Sequence, residues 1–132
     1  MYRLHFHEDV GYLETELVGF WTLDELATFD RQIIHCMRKY AVRFPNFPIL
    51  CDSRAFAVQS AEVSEAFAVC STASAERHSG LVAIVIDSAL ARFQAKRLVD
   101  QTWTRRFFTD MDEARAWIEA DAGTRSLARR RA

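Results

Sequence analysis

Leu81-Val82-Ala83-Ile84-Val85-Ile86-Asp87-Ser88 is the stretch on which the fold turns. Six consecutive apolar residues, mostly β-branched and without polar alternation, mark a strand covered on both faces, and such strands belong to parallel sheets wrapped by helices. Pro48-Ile49-Leu50-Cys51 repeats the pattern in shorter form, and it too runs into an acid and a serine, Asp52-Ser53. Between the two strands, Val63, Ala66, Phe67, Cys70 and Ala73 recur at helical spacing and predict a helix from about Ser60 to Arg77.

Towards the N-terminus, Tyr2, Leu4 and Phe6 alternate with Arg3, His5 and His7, the period of a half-buried strand. Asp9-Val10-Gly11 reads as a turn, Tyr12 to Val18 as the returning strand, and Gly19 as its end, which together predict a hairpin. Thr22-Leu23-Asp24-Glu25 is a capping box, and Leu23, Leu26, Ala27, Ile33, Ile34, Met37 and Ala41 behind it give the apolar stripe of a helix, closed by Pro45 and Pro48. Towards the C-terminus, Leu90, Phe93, Leu98 and Val99 mark another helix and Arg106-Phe107-Phe108 a last strand. Asp110 with Glu113 opens a final helix carrying Ala114, Trp117 and Ile118. The expected fold is α/β: a mixed, mostly parallel five-stranded sheet with an N-terminal hairpin and four helices, formed by a single domain over residues 1–122. Residues 123–132 read as a basic, disordered tail.

Half of the 132 residues are hydrophobic and 27% are charged, with only four glycines and two prolines, which excludes collagen-like and disordered classes. The net charge of -1 gives no electrostatic case for nucleic acid. That balance is uneven: Arg125, Arg129, Arg130 and Arg131 stand in the last ten residues without an acid, leaving -5 over residues 1–122 (13 basic against 18 acidic). Cys36, Cys51 and Cys70 are odd in number and widely spaced, which fits a reducing compartment and reads as small buried hydrophobes. No apolar run approaches the length of a spanning helix, and Met1 to Glu8 lacks the basic-then-apolar order of a signal peptide, so a cytoplasmic protein without integral membrane association is expected.

In open parallel sheets, ligands gather beyond the carboxyl ends of the strands, where helix N-termini expose unpaired amides. Asp52, Ser53 and Arg54 with Asp87, Ser88 and Arg92 are therefore the candidate ligand- or partner-binding rim, with Thr109 nearby. The competing reading makes the Asp-Ser pairs plain helix caps. None of the four histidines stands at a predicted strand end beside a nucleophile, and neither a phosphate-cradling glycine loop nor a G-x-S-x-G occurs. His5 and His7 would hold a metal only with a third convergent ligand, so no metal and no cofactor is expected. Trp21, Phe44, Phe47, Phe56 and Trp103 fall near element ends; core packing is the first reading, an apolar pocket or partner interface the second.

Four segments in succession resemble a known family. They are Gly19-Phe20-Trp21-Thr22, Ile49-Leu50-Cys51-Asp52-Ser53-Arg54, Val82 to Ser88 continued by Ala89-Leu90-Ala91-Arg92-Phe93, and Arg106-Phe107-Phe108-Thr109-Asp110 leading to Glu113-Ala114-Arg115-Ala116-Trp117. In order and spacing they resemble the SpoIIAA-like proteins, relatives of STAS domains, over about residues 2 to 119. The resemblance implies a bacterial cytoplasmic setting and work done by binding instead of turnover. In the antagonist branch a serine is phosphorylated at the start of the helix after the third strand. The matching segment here is Asp52-Ser53-Arg54-Ala55, so the resemblance points to Ser53 as the phosphorylation candidate. The expected function is thus a non-catalytic, STAS-like regulatory domain that recognises a protein partner or a small ligand at the rim. The alternatives are a homodimeric module joined near Phe93 and Trp103, and a minor enzyme using Asp52 or Asp87 as acid or base.

Overall fold

Gly11, at φ 100°, takes a backbone conformation that costs other residues steric strain, and its N–H returns to the His7 carbonyl oxygen at 2.6 Å. That turn joins β1 (Tyr2–His7) to β2 (Tyr12–Gly19) in the expected hairpin, with Tyr2 opposite Leu17 and His7 opposite Tyr12. The structure, a computed structural model, describes residues 1–87 and 104–131. Its other strands are β3 (Ile49–Phe56), β4 (Val82–Val85) and β5 (Arg105–Phe108), and its helices are α1 (Leu23–Tyr40), α2 (Ala61–Arg77) and α3 (Met111–Arg131). The sheet runs β1-β2-β3-β4-β5, with β1 antiparallel to β2 and every other neighbouring pair parallel.

Strand alternation sorts the core into two layers. One sheet face presents Phe6, Leu13, Leu17 and Ile49 to α1 and α2, where they meet Leu26, Phe29 and Val63 together with Trp21, Phe44 and Phe47 from the connecting segments. The opposite face presents Tyr12, Leu50, Ala83, Val85 and Phe108 to Ala114, Ile118 and Ala122 of α3. The two layers stand at different heights. Alanines on α3 let its backbone come down onto β2 through β5, whereas the α1–α2 pair is held off by phenylalanine, leucine and isoleucine side chains.

Three segments differ from the sequence reading. Strand β3 does not stop at Cys51 but continues to Phe56, because β2 supplies a parallel partner as far as Gly19↔Phe56. Helix α3 does not fray at Gly123, so the expected disordered tail over 123–132 is corrected to helix as far as Arg131. Its core stripe reaches Ala122, the Arg125 guanidinium pairs with Asp121 at 2.8 Å one turn back, and a glycine costs a helix only about 1 kcal/mol. Three helices are seen among the described residues; the helix expected around Leu90 to Val99 lies outside them.

At the amino end of the parallel strands, Gly80 sits against backbone. A Cβ there would press on the Phe47 carbonyl oxygen, with the Asn46 carbonyl oxygen at 2.6 Å and His78 Nε2 at 2.7 Å. Gly80→Ala is therefore expected to destabilise by about 1–3 kcal/mol, lowering Tm by about 4–11 °C in thermal unfolding. His78 donates from Nε2 to the Phe47 carbonyl oxygen at 2.6 Å, and burial pushes its pKa below the ordinary 6.5. A histidine held neutral in this way contributes stability that is complete above about pH 6.5 and is lost as the pH falls through its folded value. His78→Gln keeps an N–H donor without titrating, so the variant should lose less unfolding free energy than the parent between about pH 7 and pH 5 in urea titrations.

Candidate functional site

All three described helices start at the carboxyl end of the parallel strands, and each start is closed by its own side chain. Thr22 Oγ1 accepts from Glu25 N at 3.1 Å, Ser60 Oγ from Val63 N at 3.2 Å, and Asp110 Oδ1 from Asp112 N and Glu113 N at 2.8 and 3.1 Å. The glutamate of the capping box turns elsewhere: Glu25 Oε2 accepts from the Met1 ammonium at 3.0 Å. A buried amide ties two of the loops together. Gln59 Oε1 accepts from Trp21 N at 2.8 Å while its Nε2 donates to the carbonyl oxygens of Gly19 and Ala57 at 2.9 and 2.6 Å.

Asp52, Ser53 and Arg54 lie inside β3, not behind it, so the helix-cap reading of Asp52-Ser53 gives way to Ser60 as the cap of α2. Register places a β-bulge here: Glu16 faces Asp52, but Val18 faces Ala55, leaving one extra residue on β3. The bulge turns the Arg54 N–H towards Asp52 Oδ1 at 3.2 Å, and the guanidinium adds two bonds of 2.9 Å to the two carboxylate oxygens. The Arg54 side chain thereby holds the Asp52 carboxyl below the usual aspartate range. Asp52 is level with Val85, the last residue of β4, so the exposed Asp87 stands two residues further on, past the end of that strand. Thr109 is exposed after β5; Ser88 and Arg92, together with the dimer surface near Phe93 and Trp103, lie outside the described residues.

Ser53 points the other way. Its Oγ is 3.4 Å from Cys51 Sγ, and Cys51 lies beside the buried Thr15 of β2, so Thr15, Cys51 and Ser53 form a strip of small polar groups on the face covered by α1 and α2. The strip floors a cleft of about 180 Å³. Ile84 and Ile86 continue the floor, Phe29, Ile33 and Met37 of α1 form one wall, and Phe67, Cys70 and Ser74 of α2 another. The layer heights explain the space: α3 packs flush, whereas the side of α2 towards the sheet is mostly alanine, serine and cysteine, and only Val63 of that helix is buried. Burial pushes both cleft thiols, Cys51 and Cys70, above their ordinary pKa. Of the aromatic residues near element ends, Trp21, Phe44 and Phe47 are core, and Phe56 lines the cleft.

A second polar cluster borders α3. Glu14 accepts from Arg115 at 2.6 and 3.2 Å and pairs with His7 Nε2 at 2.9 Å, while the Tyr12 hydroxyl donates to Glu119 Oε2 and accepts from Arg115, each at 3.0 Å. Desolvation pushes Tyr12 up to about 12, and the Arg115 guanidinium holds Glu14 down. Among the described residues no group of three histidines, cysteines or acids is placed to hold a metal, and no helix is long and apolar enough to cross a membrane. The three cysteines are free thiols.

No protein-family model matches the chain, and neither the curated proteins nor the solved structures hold one significantly similar to it. What fold and site define is a class: a three-layer α/β domain with a mixed sheet and an apolar cleft under one helical layer.

The sequence signalled Asp52 as an acid directly after an apolar run, but not the cleft, because spacing cannot tell a filled helix–sheet interface from a hollow one. Asp52→Asn should cost about 1 kcal/mol near neutral pH, since the charge-assisted pair is half-exposed on the arginine side. A depressed carboxyl contributes stability present above its unfolded value, so the gap between parent and variant should close as the pH falls below about 3.8, read by denaturant unfolding at each pH.

Proposed function

We propose that this chain is a non-catalytic, STAS-like binding domain that takes a small ligand in the cleft between the sheet and α1–α2 and offers the strand-end rim to a protein partner. The cleft carries this reading: its volume of about 180 Å³ compares with the roughly 150 Å³ apolar cavities that stay dry and accept a benzene-sized guest. Its floor holds a few small hydroxyl and thiol groups in an apolar surround, the usual make-up of a small-molecule site. The seat moves from the rim itself to the space behind it, with Ser53 belonging to both.

The rim supports recognition more than chemistry. Asp52, kept ionised by Arg54, is a poor proton donor at neutral pH, and thiols raised by burial are poor nucleophiles. A phosphate on Ser53 would put nearly two charges among Phe56, Ile84 and Ile86, so occupancy of the cleft, not phosphorylation, is the signal in this reading.

A thermal-shift screen of small metabolites tests it. A compound present at about a hundred times its Kd should stabilise the parent by about 2.7 kcal/mol, and the shift should vanish in Ile84→Trp and in Cys51→Phe, which fill the cleft from its floor. Compounds that shift parent and both folded variants alike, or a screen without any hit, would sink the proposal.

A further inference from the structure

Resting on the cleft as the ligand site, we infer that its ligand is an uncharged, unbranched hydrocarbon chain ending in a hydroxyl or carbonyl oxygen, with the oxygen at Ser53 and the chain running towards Met37 and Val82. Shape is the first argument. The α1 wall is built from Leu26, Phe29, Ile33 and Met37, a stripe that follows the helix axis for about 16 Å at 1.5 Å per residue. Along the floor, Ser53 to Ile49 adds about 13 Å at 3.3 Å per residue. Wall and floor run side by side, so the cleft is lined over about 13–16 Å in one direction, an elongated outline that suits a linear skeleton better than a globular one.

Charge is the second. Among the described residues two charged side chains line the cleft: Arg105, which donates to Ser71 Oγ at 2.8 Å and to the Ser71 carbonyl oxygen at 3.2 Å, and Asp30, whose carboxylate adds to burial in raising the pKa of the Cys70 thiol. Arg105 is level with Val82, at the opposite end from Ser53. Among the described residues that line the cleft Arg105 is the one cation, so an anionic head at Ser53 would have no cation beside it and would share the cleft with the Asp30 carboxylate. Thr15, Cys51 and Ser53 are all neutral and can give or take one hydrogen bond each, which suits a single neutral oxygen. Beyond Ser53, Ala57 and Val58 are exposed lining residues, so that end of the slot faces solvent and leaves the polar end of the chain nearest water.

Three probes with the same number of carbons separate these arguments: 1-decanol, decanoate and 1-adamantanol, titrated into the full chain with thermal shift and native mass spectrometry as readouts. 1-Decanol should bind one per chain, about tenfold more tightly than decanoate, which tests charge, and than 1-adamantanol, which tests shape. Ser53→Val, close in size, should weaken 1-decanol about fivefold while leaving decane unchanged. If decanoate or 1-adamantanol binds as tightly as 1-decanol, or if Ser53→Val weakens decane equally, the inference is overturned and the cleft remains a ligand site of another class. If none of the three binds while the metabolite screen gives cleft-dependent hits, the inference alone falls; if both come up empty, the proposed function falls with it.

Discussion

The distance at which a helix rides over a sheet is set by the side chains between them, and in this molecule the two faces obey that constraint with opposite results. Ala114 and Ala122 lower α3 until Tyr12, Leu50 and Val85 are fully enclosed. On the other face Phe29, Leu26 and Trp21 prop up the helical layer near one end, and the small side chains of α2 do not reach down to fill what lies beneath. The sheet is thus packed closely against α3 on one side and held away from its helices on the other. The candidate site follows from that asymmetry and not from any single reactive residue.

Much of the frame is legible in the sequence because the relevant signals are local. Period-two alternation from Tyr2 to His7, the Thr22 cap, the apolar run at Val82 to Ile86 and the Asp110 cap each depend on a few neighbouring residues, and each marks the element that forms. The errors arise where a distant partner decides. Asp52-Ser53-Arg54 looks like an exit from a strand, but β2 continues to pair with it, and the bulge absorbs the polar residues without ending the strand. Gly123 looks like a stop, but Ala122 is already committed to the core and Asp121 holds Arg125 across the glycine.

The site divides in the same way. The rim residues could be named from the sequence because acids and hydroxyls after apolar strands are conspicuous. What they do could not, since nothing in Asp52-Ser53-Arg54 says that the carboxylate turns to its own arginine while the serine turns to the opposite face. Gln59 gave no signal at all: a glutamine in a short loop becomes a buried tie between two strand-to-helix connections only when Gly19, Trp21 and Ala57 are brought to it by the fold.

The uninterrupted course of α3 has an electrical corollary. Beyond Ala122 the helix carries nine more residues, about 13 Å at 1.5 Å per residue, past the last side chain of the core, with all the arginines of the final ten positions and no acid. Residues 1–122 sum to -5, so a chain with almost no net charge divides along its sequence into an acidic body and a basic end. Each exposed charge of that end acts on its surroundings within a Debye length of about 8 Å at physiological ionic strength, so acidic and basic segments separated by more than that are felt one at a time.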